Sequence, residues 1–97
     1  MRLRIVNAGL NKVVNGLTGA AGSSYRLRAQ FDENAPRGHQ FEWVVSPPSC
    51  LEHVGKTFVP DYKREWMMRG AGTVHVVATD KAGAVIALSQ VVKVIPT

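Results

Sequence analysis

Strict alternation of apolar and polar residues is the feature that most restricts this chain. Tyr25, Leu27, Ala29 and Phe31 interleave with Arg26, Arg28, Gln30 and Asp32. Phe41, Trp43 and Val45 interleave with Glu42, Val44 and Ser46, and Val74, Val76 and Ala78 with Thr73, His75, Val77 and Thr79. A period of two places one residue set on each face of a pleated strand, so each run reads as a half-buried strand. The second run stops at Pro47-Pro48, since proline cannot donate to a sheet ladder. Asp80-Lys81-Ala82-Gly83 is a turn signal. It leads into a further strand in which Ile86, Leu88, Val92 and Val94 share parity, so residues 73–95 read as a hairpin.

A shorter alternation opens the chain, with Leu3 and Ile5 facing one way and Arg2 and Arg4 the other. Residues 7–24 hold Gly9, Gly16, Gly19 and Gly22 and read as the least regular segment, a loop with one short strand near Val13 and Val14. Lys56-Thr57-Phe58-Val59 reads as a strand stopped by Pro60. Beyond it the pattern favours one short helical turn or two within residues 61–69. Asp61 would be the N-cap and Gly70 the stop, because Lys63 to Met68 contains no β-branched residue. A strand from Arg64 to Met68 is the rival reading. Six to eight short strands in 97 residues predict an all-β antiparallel sandwich, with residues 1–97 as one domain.

Two segments resemble immunoglobulin-like domains. Phe41-Glu42-Trp43-Val44-Val45 resembles their third strand, whose tryptophan fills the core, which makes Trp43 the core marker. Ala71 to Ala84, followed by Ser89-Gln90-Val91-Val92-Lys93-Val94, is similar to the last hairpin of bacterial immunoglobulin-like and polycystic-kidney-disease-type (PKD-type) domains. The resemblance implies an immunoglobulin-like β-sandwich. It further suggests likeness to the small decoration or accessory proteins of tailed-bacteriophage virions.

The residues that carry chemistry are sparse. Cys50 and His53 have the spacing of half a zinc site, but a structural site takes four ligands and neither a second cysteine nor a nearby histidine completes it. With no phosphate cradle, serine elbow or paired carboxylates, the expectation is a non-enzymatic protein with no catalytic residue, cofactor or metal. Asp32-Glu33-Asn34 and Asp80 would share one pole of a sandwich and could offer oxygens to calcium, although turns favour such residues for backbone hydrogen bonding. Cys50 is expected in a loop with His53 facing solvent.

Charge is the more informative signal. The formal net charge is +5, and residues 1–31 supply all of it through Arg2, Arg4, Lys12, Arg26 and Arg28, without one acid. Residues 32–97 are neutral overall. Parity puts Arg2, Arg4, Arg26 and Arg28 on one outer face of adjacent strands, a candidate docking patch suited to carboxylate or phosphate. Val85, Ala87 and Val91, with Val77 and Val44, form a second candidate surface, unless the glycine-rich segment folds over it.

The chain is therefore expected to be a structural module that docks on a larger protein assembly, a capsid or tail. The alternatives are a carbohydrate- or nucleic-acid-binding module, with Trp66 or Tyr62 as stacking platforms, and a domain cut from a larger surface protein. No apolar run approaches the ~18–20 residues of a membrane span. The N-terminus lacks the apolar stretch of a secretory signal, so synthesis in the cytosol and release within a virion is the expectation.

Overall fold

The computed structural model describes residues 2–33, 39–55 and 62–97. Among them are ten strand segments: β1 (Leu3–Asn7), β2 (Lys12–Val13), β3 (Gly16–Gly19), β4 (Ser24–Phe31), β5 (Gln40–Ser46), β6 (Leu51–Val54), β7 (Lys63–Met68), β8 (Gly72–Thr79), β9 (Val85–Leu88) and β10 (Val92–Pro96). One 3-10 turn, Pro48–Cys50, lies between β5 and β6. No helix among the described residues is long and apolar enough to cross a membrane.

The strands form two sheets, ordered β2-β1-β4-β7-β6 and β3-β10-β8-β5, with β9 added to β8. All pairings are antiparallel except β3 with β10. With the short β2, β3 and β9 set aside, seven strands remain. In chain order the first, second, fifth and fourth make one sheet, and the third, sixth and seventh the other. That is the strand order of an immunoglobulin constant-type sandwich.

The alternating residues account for the core. Leu3 and Ile5 of β1, Leu27 and Ala29 of β4, and Trp66 and Met68 of β7 are buried from one sheet. Trp43 of β5, Val74, Val76 and Ala78 of β8, and Val92 and Val94 of β10 meet them from the other. Full burial of a side chain such as Ile5, Leu27 or Met68 stabilises by about 1.5–3 kcal/mol. Trp43 lies across the sandwich from Trp66, ring centroids 5.9 Å apart, so the core marker occupies its expected place.

Three local expectations are corrected. Residues 63–68 are strand, not helical turns. β7 is held on both sides, by β4 from Ser24↔Met67 to Arg28↔Lys63 and by β6 from Leu51↔Met68 to Val54↔Glu65. Two ladders outweigh a weak local preference for helix. Asp61 and the strand expected at 56–59 lie outside the described residues.

The final strand is not continuous either. Thr79 pairs with Val85 and Ala78 with Ala87, so a bulge at Ile86 moves the register by one, and Leu88 comes out opposite Val77. Ile86 and Ala87 both pack against the core, and Leu88, expected inside, is 62% exposed. A one-residue bulge reverses the parity of the strand beyond it, here as far as Leu88, where β9 ends; Val92 and Val94 of β10 are again buried as expected.

The glycine-rich segment, finally, is mostly ordered edge structure. Asn7 Oδ1 accepts from the backbone of Gly9 at 2.9 Å and Leu10 at 3.1 Å. Asn11 sits at φ +55°, a region asparagine tolerates, and the chain turns back as β2. It then crosses to the second sheet as β3, beside β10. It does not cover the apolar outer face of that sheet.

Candidate basic interface on the first sheet

The register of β1 on β4 sets the geometry of the arginines. Leu3, Ile5 and Asn7 lie opposite Phe31, Ala29 and Leu27, while Arg4 lies opposite Gln30 and Val6 opposite Arg28. Arg2 precedes β1 with the parity of Arg4, and Arg26 shares that of Arg28. All four expected arginines therefore stand on one outer sheet face, as alternation requires. On the far side of β4, Lys63 pairs with Arg28. Lys63 thus joins the patch, a residue the sequence does not point to, because its local pattern favours helical turns within residues 61–69.

The patch is not a uniform cationic field. Arg26 Nε lies 3.2 Å from Glu65 Oε1 on β7, opposite it in register. The absence of acids in residues 1–31 therefore did not leave Arg26 unpaired: its partner arrives from a strand 39 positions later. The pair is exposed and contributes little to stability. Arg28 Nη2 donates to Gln30 Oε1 at 2.9 Å and also to Asn11 Oδ1. It thereby lies down against the β1–β2 hairpin, where Val6, although on the outer face, is 4% exposed.

Arg4 is the least neutralised of the set that is also partly buried. Its Nε is withdrawn from solvent with no hydrogen-bond partner. It borders two hollows. One, of ≈ 180 Å³, lies on the outer face among Val6, Asn11, Gln30 and Asp32. The other, of ≈ 520 Å³, opens at the seam between the sheets. Arg2 is exposed, and its backbone N–H donates to Asp32 Oδ1 at 3.0 Å. At the opposite end of the face, Arg69 and Glu52 pair through Arg69 Nε and Glu52 Oε2 at 2.8 Å.

The other expected sites fall elsewhere. Asp80 Oδ1 accepts from the backbone of Ala82 at 2.9 Å and Ala84 at 3.0 Å, and Gly83 closes that turn at φ +86°. Asp32 Oδ1 is taken by Arg2. Asp80 thus serves its own turn, whereas Asp32 ties the end of β4 to the residue before β1, and Asn34 lies outside the described residues. Among the described residues, no three of His, Cys, Asp and Glu gather as a metal site would require.

Cys50 lies in the 3-10 turn that links β5 to β6, but it is no open loop thiol: it is 1% exposed, in the core beneath Gly72. Burial pushes its thiol pKa up, against smaller lowering contributions from backbone hydrogen bonds at Thr73 and Cys50 itself. His53 is half-buried rather than solvent-facing, its ring 5.4 Å from that of Trp66. Trp66 is 4% exposed, so it offers no stacking surface to a sugar or base, whereas Tyr62 is exposed.

On the second sheet, Val77 and Leu88 lie opposite each other on the outer face. Val85, Leu88 and Val91 are exposed, while Ala87, expected with them, packs inward. The two outer faces therefore differ: one carries the arginines, the other an apolar stripe at Val77, Val85 and Leu88 alongside Glu42, His75 and Lys93. In comparisons with known proteins, no family model, curated protein or solved structure matches the chain.

Proposed function

We propose that this protein is a non-enzymatic docking module that attaches to a larger protein assembly through the basic outer face of its first sheet, as a virion accessory protein would on a capsid or tail. The observation that supports this reading most is the gathering of Arg2, Arg4, Arg26, Arg28 and Lys63 on one sheet face. Arginine forks suit carboxylate-bearing surfaces, and a one-sided charged face orients an encounter before contact. The buried interior is filled by side chains of the alternating strands. A nucleic-acid role is the weaker reading. Five cations accompanied by Glu65 and Asp32 neutralise at most five phosphates. Such binding would weaken by no more than about 500-fold between 50 and 200 mM salt, below the loss expected for six to ten contacts. The carbohydrate reading loses its best residue with the burial of Trp66.

The test is a density gradient of native lysate, probed with an antibody to the protein. Migration with capsid- or tail-sized particles visible by electron microscopy is expected. Arg26→Gln with Arg28→Gln should release the protein from those particles at lower salt. A protein found only in the monomer fractions would overturn the proposal.

A further inference from the structure

The outer edge of β1 is closed along only part of its length. β2 pairs with it at Val6 and Asn7 alone. Beside them, Val14 N donates to Ile5 O at 3.0 Å. The Gln90 side chain then stands in for the missing strand: its Oε1 accepts from Ile5 N at 3.0 Å and its Nε2 donates to Ile5 O at 3.0 Å. In a strand, alternate residues turn their N–H and C=O to the same side. Those of Leu3 therefore point the same way as those of Ile5, past the end of β2, where no strand of the described residues lies.

What lies there instead is the ≈ 520 Å³ seam cleft, whose lining includes Arg2, Leu3, Arg4, Val13, Leu88 and Gln90. The two arginines flank Leu3, and the Arg4 Nε is desolvated with no acceptor. Val13 and Leu88 expose apolar walls. A strand edge supplies main-chain pairing, apolar walls suit alternate side chains, and guanidinium groups suit carboxylates.

We propose that the β1 edge at Leu3 receives an extended acidic peptide segment of a partner protein as an added strand, with its carboxylates on Arg2 and Arg4. This deepens the docking reading and rests on it for a protein partner. A phosphate backbone fits less well, because it has no amide to give the Leu3 carbonyl and the walls beyond the arginines carry no further cation.

The test is an amide NMR titration of the full chain with a blocked hexapeptide alternating glutamate and valine. The lysine–valine counterpart, inorganic phosphate and a short single-stranded oligothymidylate serve as comparisons. Shifts centred on Leu3, Arg4, Leu88 and Gln90 are expected with the acidic peptide alone. Arg2→Gln with Arg4→Gln should weaken binding about tenfold or more. Arg2→Gln alone, at an exposed side chain, keeps the fold and should still weaken it. Shifts spread over Lys81 and Lys93 as well, equal binding of the lysine peptide, tighter binding of phosphate or oligothymidylate, or no effect of the arginine variants would each overturn the proposal. Peptide binding at Leu3 by a protein that never migrates with particles would overturn the virion reading and leave this one standing. Particle binding without peptide binding would do the reverse.

Discussion

Gly72 shows how little slack a single position can have. A Cβ built there would lie 2.5 Å from the Ser46 carbonyl oxygen and 2.6 Å from Cys50 Sγ, both held by packing. Gly72→Ala should therefore destabilise by about 1–3 kcal/mol, as overpacking does, with a lower urea midpoint and an unchanged m-value. Cys50 itself yields a pH prediction. Its thiol is raised above the ordinary 9.0 by burial, so above that value the unfolded chain loses a proton that the folded chain keeps. Stability should fall as pH rises through the window above 9.0, with the contribution fully present below it. Cys50→Ala should remove that part of the slope, which parallel urea titrations at neutral and alkaline pH would show. The native thiol should also resist alkylation until the chain opens.

At the scale of an element, the break in the last strand is the most consequential feature. Ser89 ends β9 and replaces a ladder residue: its N–H donates to Val76 O at 2.9 Å, and its Oγ accepts from Val76 N at 2.8 Å. Ser89→Ala would leave the Val76 N–H buried and unsatisfied, at a cost of about 1–3 kcal/mol. The Val76 amide should then exchange its hydrogen markedly faster than its neighbours on β8. Leu88, brought outward by the bulge, is the complementary position. Leu88→Ser should change stability by no more than about 0.5 kcal/mol; a loss of several kcal/mol in thermal unfolding would mean that the bulge is absent and Leu88 is in the core.

At the scale of the molecule, Gln90 joins the two sheets. Its side chain reaches from the link between β9 and β10 of the second sheet to Ile5 N and Ile5 O of the first and to Val14 O just past β2, the last at 2.8 Å. Gln90→Ala should cost about 1–3 kcal/mol. Glutamate should not rescue it at neutral pH, because a carboxylate cannot donate to the two carbonyls. Equal stability of wild type and Gln90→Glu by chemical denaturation would show that this tie is dispensable.

Much of this was legible in the residues. The alternating runs at 25–31, 41–45 and 73–79, and the short one at Leu3 and Ile5, became strands with their apolar sets turned inward, because the pleat alone decides which side chains share a face. The same parity placed Arg2, Arg4, Arg26 and Arg28 together and Trp43 at the centre. What failed was each feature that depends on a distant partner. The strand at Lys63–Met68 exists because β4 and β6 flank it, and the outward turn of Leu88 exists because one residue bulges beside Ala78. Lys63 and Glu65 enter the arginine face through pairing across strands, and the seam cleft exists because β2 ends before Leu3. Local alternation is set by covalent geometry and hydrophobic burial, both written in the order of residues. Register, edges and charge neighbours are set by which strands meet, and only the folded chain decides that.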